Sequence, residues 1–352
     1  MDLLVIAIVG AILALLGWIA LVALSGFSIP TPAPAPARPA SSRAGALALI
    51  EQLQKLDGAD IAGPCGTRLV EPDGDAVATL VVWHGFTNCP AQFAEVAEVF
   101  AANGLRVLLA RMPRHGLSDV LNHELKELTD RELTEHTARV IDAAAGFGDP
   151  VWVMGLSAGG ILAGWAAATR PEVQRVVLVA PFVAPKAIPL PVVRLLIRFR
   201  PIIPGMYFWW DPRKKENLGE SPYVYPGFPL PGMVPFLHLG QALLDGRVAP
   251  ASPLERAALV SNPGDFAIRR DVAKRYAERA FGASHGGLVE VTLDSELGWW
   301  HDFVDVHGPH GGPTEQVAEV FSAAFGIADD PSAGGAIVEP LPAPAPAERS
   351  AE

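Results

Sequence analysis

The segment from Val151 to Thr169 constrains the fold more than any other part of the chain. It opens with the apolar run Val151-Trp-Val-Met154, continues through Gly155-Leu-Ser157-Ala-Gly159, and ends in an Ala-rich stretch. This order predicts a buried strand, a sharp turn and a helix. The two glycines would let neighbouring backbone approach closely, so that the Ser157 hydroxyl projects above the sheet. We therefore expect Ser157 to be a nucleophile; a purely structural tight turn is the alternative.

Short β-branched runs alternate with helical patterns through much of the chain, which predicts an α/β fold with a mostly parallel sheet covered by helices. The predicted strands are Ala76–Trp83, Leu105–Ala110, Val151–Met154, Arg175–Ala180, Ala257–Ser261 and Leu288–Leu293. The predicted helices are Ala91–Asn103, Asp130–Ala145, Ala158–Thr169, Asp271–Ala280 and Pro313–Phe325.

The first residues differ from the rest of the chain. Leu3 to Leu24 are uncharged and nearly all apolar, and a helix of that length spans a hydrocarbon core of about 30 Å. We predict an N-terminal transmembrane helix within residues 1–27, with a cleaved signal peptide as the alternative. The absence of a basic residue before the apolar run and the length of that run favour the anchor.

Proline-rich sequence borders the predicted catalytic domain on both sides. Residues 28–43 are rich in Pro and Ala and predict an extended spacer between membrane and domain. Residues 44–327 would form one domain, and the Pro/Ala-rich residues 328–352 a disordered tail.

A Pro-rich and aromatic stretch, about 181–247, follows a predicted strand and indicates a cap over the carboxyl edge of the sheet. Within it Arg194 and Arg198 lie four residues apart, on one helical face with apolar neighbours. This helix could pack its apolar side onto the body or seat the protein on anionic lipid. With either arrangement we expect an apolar pocket that favours acyl chains.

Charge and cysteine content narrow the partners and the compartment. The net charge of −11 argues against a nucleic-acid partner. Cys65 and Cys89 flank a predicted strand and could form a disulfide, or they could be two unrelated buried thiols. A disulfide implies an oxidising compartment, whereas Arg38 and Arg43 after the apolar run favour a cytoplasmic domain. We expect an extracytoplasmic catalytic domain on the cysteine argument.

A second motif lies upstream of the serine, where the strand Val81-Val82-Trp83 ends in His84-Gly85-Phe86. With the serine pentapeptide it resembles the α/β-hydrolase superfamily, in particular its carboxylesterase and monoacylglycerol-lipase branch, over Arg68 to Phe325. The resemblance implies an oxyanion hole formed by the backbone N–H groups of Phe86 and Ala158. It also implies structural roles for His84 and for His115, whose loop departs from the family pattern at Arg114. Asn88 could orient the oxyanion loop.

The same resemblance implies a triad in the order serine, acid, histidine. Asp265, in the turn after a strand, resembles the family's acid, with an N-cap role or the nearby Asp271 as alternatives. His301, after the last predicted strand, resembles the family's base, and His307 and His310 remain alternatives. The loose spacing of these three histidines does not favour a metal site, and the serine mechanism requires no cofactor.

The predicted activity is hydrolysis of small-molecule or lipid-like acyl esters through an acyl-enzyme on Ser157. A thioesterase or an amidase would use the same residues. A non-catalytic, membrane-tethered binding protein on a hydrolase fold is the alternative from another class, and such proteins typically lose a triad member.

Overall fold

The structure is a computed structural model that describes residues 29–214, 223–252, 254–308, 310–328 and 336–341, together with Gly10 and Gly17. The transmembrane helix predicted within residues 1–27 lies almost wholly outside the described residues. Among the residues described, none of the helices combines the length and apolar character that crossing a bilayer requires.

The strands and helices follow in the order expected of an α/β chain. The strands are β1 (Arg68–Val70), β2 (Ala78–Trp83), β3 (Leu105–Ala110), β4 (Val151–Leu156), β5 (Val173–Val179), β6 (Tyr207–Trp209), β7 (Gly227–Pro229), β8 (Arg256–Ser261), β9 (Leu288–Leu293) and β10 (Ala336–Leu341). The helices are α1 (Arg43–Asp57), α2 (Ala94–Ala102), α3 (Asp130–Ala145), α4 (Ala158–Thr169), α5 (Leu190–Phe199), α6 (Val234–Leu244), α7 (Arg270–Phe281) and α8 (Thr314–Phe325).

In the described part of the chain one sheet carries the strand order β1-β3-β2-β4-β5-β8-β9-β10. The six central strands run parallel, and β1 and β10 pair antiparallel at the two edges. Strands β2, β3 and β4 are buried along their whole length, because helices cover both faces. The prediction of a mostly parallel sheet flanked by helices is confirmed.

The edge strand β10 corrects the prediction of a disordered tail, which is wrong for residues 336–341. Ile337 and Val338 stand opposite Thr292 and Val291 of β9. Strand β9 would otherwise present a row of unpaired backbone N–H and C=O groups at the sheet edge, and β10 satisfies them. The proline content of this segment predicted disorder. The sequence alone does not show that β9 lies at an open edge of the sheet, with which this segment can pair.

The helix α4 is the best buried of the described helices. Residues from Ala158 to Ala168 are all buried, and the helix packs on β4 and β5 beneath α3 and α6. A helix surrounded on all sides needs apolar or small residues around its whole circumference, as its composition indicated. The N-terminus of α4, which follows Ser157 directly, is therefore held by the core.

The proline-rich segment from Ile29 to Ala40 lies along the surface of the domain. The sequence predicted an extended spacer between the membrane and the domain. Pro32 is buried, and the N–H groups of Arg38 and Ala40 donate to the side chain and carbonyl of Asp142, at 2.8 and 3.0 Å. At the other end, Arg247 Nη1 donates to the carbonyl of Ile29 at 2.6 Å. Proline favours this extended form, and tertiary hydrogen bonds then fix its course.

Part of the predicted cap lies at the carboxyl edge of the sheet, where Tyr225 and Trp210 hydrogen-bond Thr87 in the loop after β2. The last helix of the predicted cap, α6, packs within the body of the domain. In α5, Val193 and Ile197 are buried whereas Val192 and Arg194 are exposed, so this helix packs its apolar side onto α6. Strands β6 and β7 form a separate antiparallel hairpin. Helix α6 is buried along most of its length against α4 and α7.

Cys65 and Cys89 form a disulfide, as one of the two sequence interpretations predicted. Both residues are fully buried. Cys89 lies three residues after Phe86, and Cys65 ends a short 3₁₀ turn before β1. The bond therefore fastens the loop after β2 to the segment that precedes the sheet.

Replacing both cysteines, as Cys65→Ala with Cys89→Ala, is expected to lower the free energy of unfolding by about 3 kcal/mol, because the unfolded chain regains the entropy of the closed loop. Urea unfolding of the wild type and the double variant would measure the difference. Wild-type protein under reducing conditions serves as the matched control and should approach the double variant. Identical unfolding curves for oxidised wild type and variant would contradict the prediction.

Candidate active site

Ser157 occupies the turn between β4 and α4 in a strained backbone conformation, with φ +57° and ψ −111°. Its N–H donates to the carbonyl of Val179 at 2.8 Å, and its own carbonyl accepts the N–H of Phe182 at 3.0 Å. A Cβ on Gly155 would lie 2.2 Å from the carbonyl of Gly159. The turn therefore requires the small residues that the sequence places on each side of the serine, and β5 locks its strained backbone.

The loop after β2 places Phe86 at the same carboxyl edge of the sheet. The N–H of Gly85 donates to the side chain of Gln92 at 2.8 Å, and the N–H of Asn88 donates to the carbonyl of Gly85. A Cβ on Gly159 would lie 2.2 Å from the carbonyl of Trp83, so the start of α4 and this loop are in close contact. The backbone of Phe86 and that of Ala158 thus belong to two adjoining turns.

Asp265 and His301 form the clearest polar pair of the site. His301 Nδ1 donates to Asp265 Oδ2 at 2.6 Å, and the Asp265 side chain is fully buried. The second carboxylate oxygen accepts the N–H groups of Ala267 and Ile268 at 2.7 and 3.2 Å. Burial opposes ionisation, but the bond and charge of His301 and these two amides outweigh it, and the pKa of Asp265 is lowered.

The stretch after β5 connects the serine turn with the acid turn. Phe182 donates to the serine carbonyl, Pro185 pairs with Ile268 in an isolated bridge, and Lys186 Nζ donates to the carbonyl of Asp265 at 2.9 Å. Ser157 and Asp265 therefore follow two strands, β4 and β8, that are separated in the sheet by β5 alone.

The alternative acid and bases have other partners. Asp271 pairs with Arg269 and Arg275 at the surface. His307 bonds Glu95 at 2.7 Å with its side chain 67% exposed, and the ring of His310 stacks on Trp300. Within the described residues no group of three or more His, Cys, Asp or Glu side chains is arranged to hold a metal ion.

Asn262 is a residue of this site that the sequence did not single out. Its side-chain amide donates to the carbonyls of Trp299 and Trp300, at 2.8 and 3.1 Å, and its oxygen accepts the N–H of Gly264 at 2.8 Å. One buried side chain thus clamps the residues before His301 to the turn that carries Asp265. A polar residue directly after a buried strand was the only sequence signal for it.

The variant Asn262→Ala is expected to lower kcat about tenfold to a hundredfold with little change in KM, because His301 loses its fixed position and positional errors of about 1 Å have such effects. Steady-state kinetics on a soluble ester would measure both constants. Asn103→Ala removes an exposed amide elsewhere and serves as control. A rise in KM at unchanged kcat would contradict a role in positioning the base.

A second connection joins the oxyanion loop to the segment after His301. Asn88 Nδ2 lies 3.4 Å from Asp305 Oδ2, and Asn88 Oδ1 accepts the N–H of Cys89 at 2.8 Å. Asp305 is buried, and burial raises the pKa of its carboxyl group. The disulfide, Asn88 and Asp305 therefore form one continuous support beneath the loop that carries Phe86.

Burial keeps three histidines near β2 neutral. His84 Nδ1 donates to the carbonyl of Gly85, and its Nε2 accepts the N–H of Met112 at 3.1 Å. His136 Nε2 accepts the indole N–H of Trp83 at 3.1 Å. Burial lowers the pKa of all three, well below 6.5 for His84, to about 4 for His115 and to about 3 for His136. His84 and His115 thus lie buried beside Phe86, and His115 Nδ1 donates to the carbonyl of Pro113 at 2.8 Å.

These depressed pKa values predict acid-sensitive stability. Each histidine takes up a proton near pH 6.5 in the unfolded chain but resists it when folded, so the stability is complete above that pH and is lost below it. Between its unfolded and its folded pKa, each histidine lowers the free energy of unfolding by up to about 1.4 kcal/mol per pH unit. Urea unfolding at pH 8, 6 and 5 should give a falling free energy of unfolding. Equal values at pH 8 and 5 would contradict the neutral buried histidines.

Comparison with known proteins agrees with this geometry. The family model described as serine aminopeptidase, S33, matches residues 74–225. One solved structure, reported with the metagenome-derived lipolytic enzymes LipS and LipT, has a TM-score of 0.53 at 20% sequence identity and covers 75% of this chain and 98% of that one. No curated protein sequence matches the chain.

A monoacylglycerol lipase from Paleococcus ferrophilus is similar as well, with a TM-score of 0.50 and 19% identity over 67% of this chain and 90% of that one. The chain has the α/β-hydrolase fold. These lipolytic enzymes share that fold, and the prediction of an α/β-hydrolase fold is confirmed. The serine turn and the loop after β2 fall inside the residues matched by the family model, and Asp265 and His301 lie beyond them.

Proposed function

We propose that the hydrolase cleaves carboxylic esters through an acyl-enzyme on Ser157, with His301 as general base and Asp265 as its orienting acid. The 2.6 Å hydrogen bond between His301 and Asp265 carries this proposal. It favours His301 over the other two histidines and Asp265 over the other acid, at the same sheet edge as the serine.

The chemistry follows from the contacts of each group. Because Nδ1 of His301 donates to the carboxylate, its Nε2 is free to accept the Ser157 proton as Oγ attacks the ester carbonyl. The lowered pKa of Asp265 keeps the carboxylate charged, which stabilises the imidazolium that forms. His301 then returns the proton to the departing alcohol, and water releases the acid in a second cycle.

The oxyanion of each tetrahedral intermediate would bind the N–H groups of Phe86 and Ala158. The first turn of α4 supports this role, because its unpaired amides and helix dipole favour negative charge at that point. The Cys65–Cys89 disulfide and the Asn88–Asp305 contact hold the partner loop, so the two donors would be fixed before substrate binds.

Labelling with a fluorophosphonate probe tests the nucleophile directly. We expect wild-type protein to label and Ser157→Ala to remain unlabelled, with the exposed Ser118→Ala as matched control. His301→Ala should label far more slowly, whereas His307→Ala should label like the wild type. Equal labelling of wild type and Ser157→Ala would refute the assignment.

The scissile bond is tested with a matched set of an oxygen ester, a thioester and an amide that share one acyl group. We expect the highest kcat/KM for the oxygen ester. A series of acyl lengths on the same alcohol would then test the predicted apolar pocket, and a preference for acetyl over chains of about eight carbons would count against lipid-like substrates.

The proposal extends to location: an N-terminal anchor within residues 1–27 and an extracytoplasmic catalytic domain. The apolar run from Leu3 to Leu24 and the Cys65–Cys89 disulfide support it. Protease accessibility of the domain in intact cells, together with the mass of the mature N-terminus, tests both parts. A protected domain or a cleaved N-terminus would each overturn one of them.

A further inference from the structure

The cap carries an exposed apolar surface that the proposed chemistry does not use. We call it the cap face and define it by four side chains between the end of α5 and the residue that follows β6. Ile202 is 74% exposed, Met206 52%, Phe208 44% and Trp210 53%. Four large apolar side chains within nine residues are an unusual exposure for a protein surface and indicate a binding face.

The charge around the cap face identifies the kind of partner. Residues 186–210 contain the four cations Lys186, Arg194, Arg198 and Arg200 and no Asp or Glu, in a chain whose net charge is −11. Lys186, Arg194 and Arg198 are exposed. Exposed apolar residues interspersed with cations suit the headgroup region of an anionic bilayer, which takes up the apolar groups and attracts the charges.

The start of the described chain lies beside the same part of the cap. Arg247 donates to the carbonyl of Ile29, and both Arg247 and Arg194 of α5 contact Asp245. The apolar run from Leu3 to Leu24 ends five residues before Ile29. A membrane that holds this apolar run would therefore lie close to α5.

A row of aromatic rings leads from the cap face inward. Trp210 and Phe208 both contact the ring of Phe228, at 4.8 and 6.3 Å between centroids, and Phe228 contacts Phe86 at 5.1 Å. The indole N–H of Trp210 also donates to Thr87 Oγ1 at 2.9 Å, directly beside Phe86. An acyl chain leaving a bilayer at the cap face would meet a continuous apolar path to the oxyanion loop.

We propose that the cap face docks on an anionic phospholipid bilayer and admits acyl-ester substrate from it along this aromatic row. The entry step rests on the proposed esterase function, whereas docking itself does not. The excess of cations in residues 186–210 favours a lipid surface with negative headgroups over a zwitterionic one.

The test uses full-length protein in vesicles of phosphatidylglycerol with phosphatidylcholine, and in vesicles of phosphatidylcholine alone. The variant Ile202→Ser with Met206→Ser changes two exposed residues of the cap face, and Leu56→Ser with Val77→Ser changes two equally exposed residues elsewhere. We expect the cap variant to keep turnover of a soluble short-chain ester within about twofold and to lose about tenfold on a long-chain ester in anionic vesicles. The control variant should keep both activities.

Equal losses on both substrates, or no loss in anionic vesicles, would overturn the docking proposal. Raising the salt concentration should shrink the difference between anionic and zwitterionic vesicles, because it screens the cations. If the wild type cleaves neither ester, the esterase proposal fails, and docking is then measured by tryptophan quenching with brominated phosphatidylglycerol. Trp210→Phe should lose part of the quenching seen in wild type, and unchanged quenching would refute docking.

Discussion

Replacing Ser157 with alanine is expected to lower kcat for ester hydrolysis by about 10⁶-fold, because no other group can form the acyl-enzyme. Alanine and serine share the Cβ atom, so the strained backbone with φ +57° stays as it is. The hydroxyl alone is removed from a residue that is already buried. Initial rates on a chromogenic short-chain ester, with enzyme at high concentration, would measure the residual activity.

The control for this variant is its stability. The free energy of unfolding of Ser157→Ala should stay within about 1 kcal/mol of wild type, and Ser118→Ala should keep full activity. A Ser157→Ala protein that retains more than a tenth of the wild-type rate would show that another residue attacks the ester.

The second large effect is expected for Asp265→Asn, which should lower kcat by about 10⁴-fold. The amides of Ala267 and Ile268 both donate to one carboxylate oxygen, so the asparagine oxygen takes that place and its NH₂ group faces His301. Nδ1 must then accept a hydrogen bond where it now donates one. The imidazole consequently carries its hydrogen on Nε2 and cannot accept the proton of Ser157.

A rate comparison with Asp271→Asn makes this prediction specific, since Asp271 is exposed and its carboxylate pairs with Arg269 and Arg275. The control should keep full activity. Fluorophosphonate labelling of Asp265→Asn should be slowed in proportion to its kcat. Full activity in Asp265→Asn, or an equal loss in both variants, would contradict the assigned acid.

The sheet could be read from the sequence because its strands are locally distinctive. The bounds of β3, β9, α3 and α4 match their predictions. The strands are apolar runs, α3 has a capped amphipathic pattern, and α4 is a run of small and apolar residues that begins directly after the serine turn. The hairpin of β6 and β7, the helix α1 and the edge strand β10 were missed. The strands pair with segments distant in sequence, and α1 packs on α3, which is also distant. A local sequence pattern does not encode such contacts.

The candidate active site also has a part that the sequence predicts and a part that it does not. The turn at Ser157 could be predicted because its strand, glycines and helix are consecutive in the chain. Which acid faces which histidine could not, because Asp265 and His301 are 36 residues apart and three histidines follow the last central strand. The clamp by Asn262 was missed for the same reason, since its partners are backbone carbonyls of a distant loop.

The sequence by itself therefore determined the α/β class, the strand, turn and helix around Ser157, and the family resemblance, all of which depend on residues close in the chain. Tertiary structure alone decided the Asp265–His301 pair, the closure of the Cys65–Cys89 bond, and the course of residues 29–40 along the domain. It also decided that Ile202, Met206, Phe208 and Trp210 face outward. Exposure and long-range pairing are properties of the packed chain, because each depends on what every other segment covers.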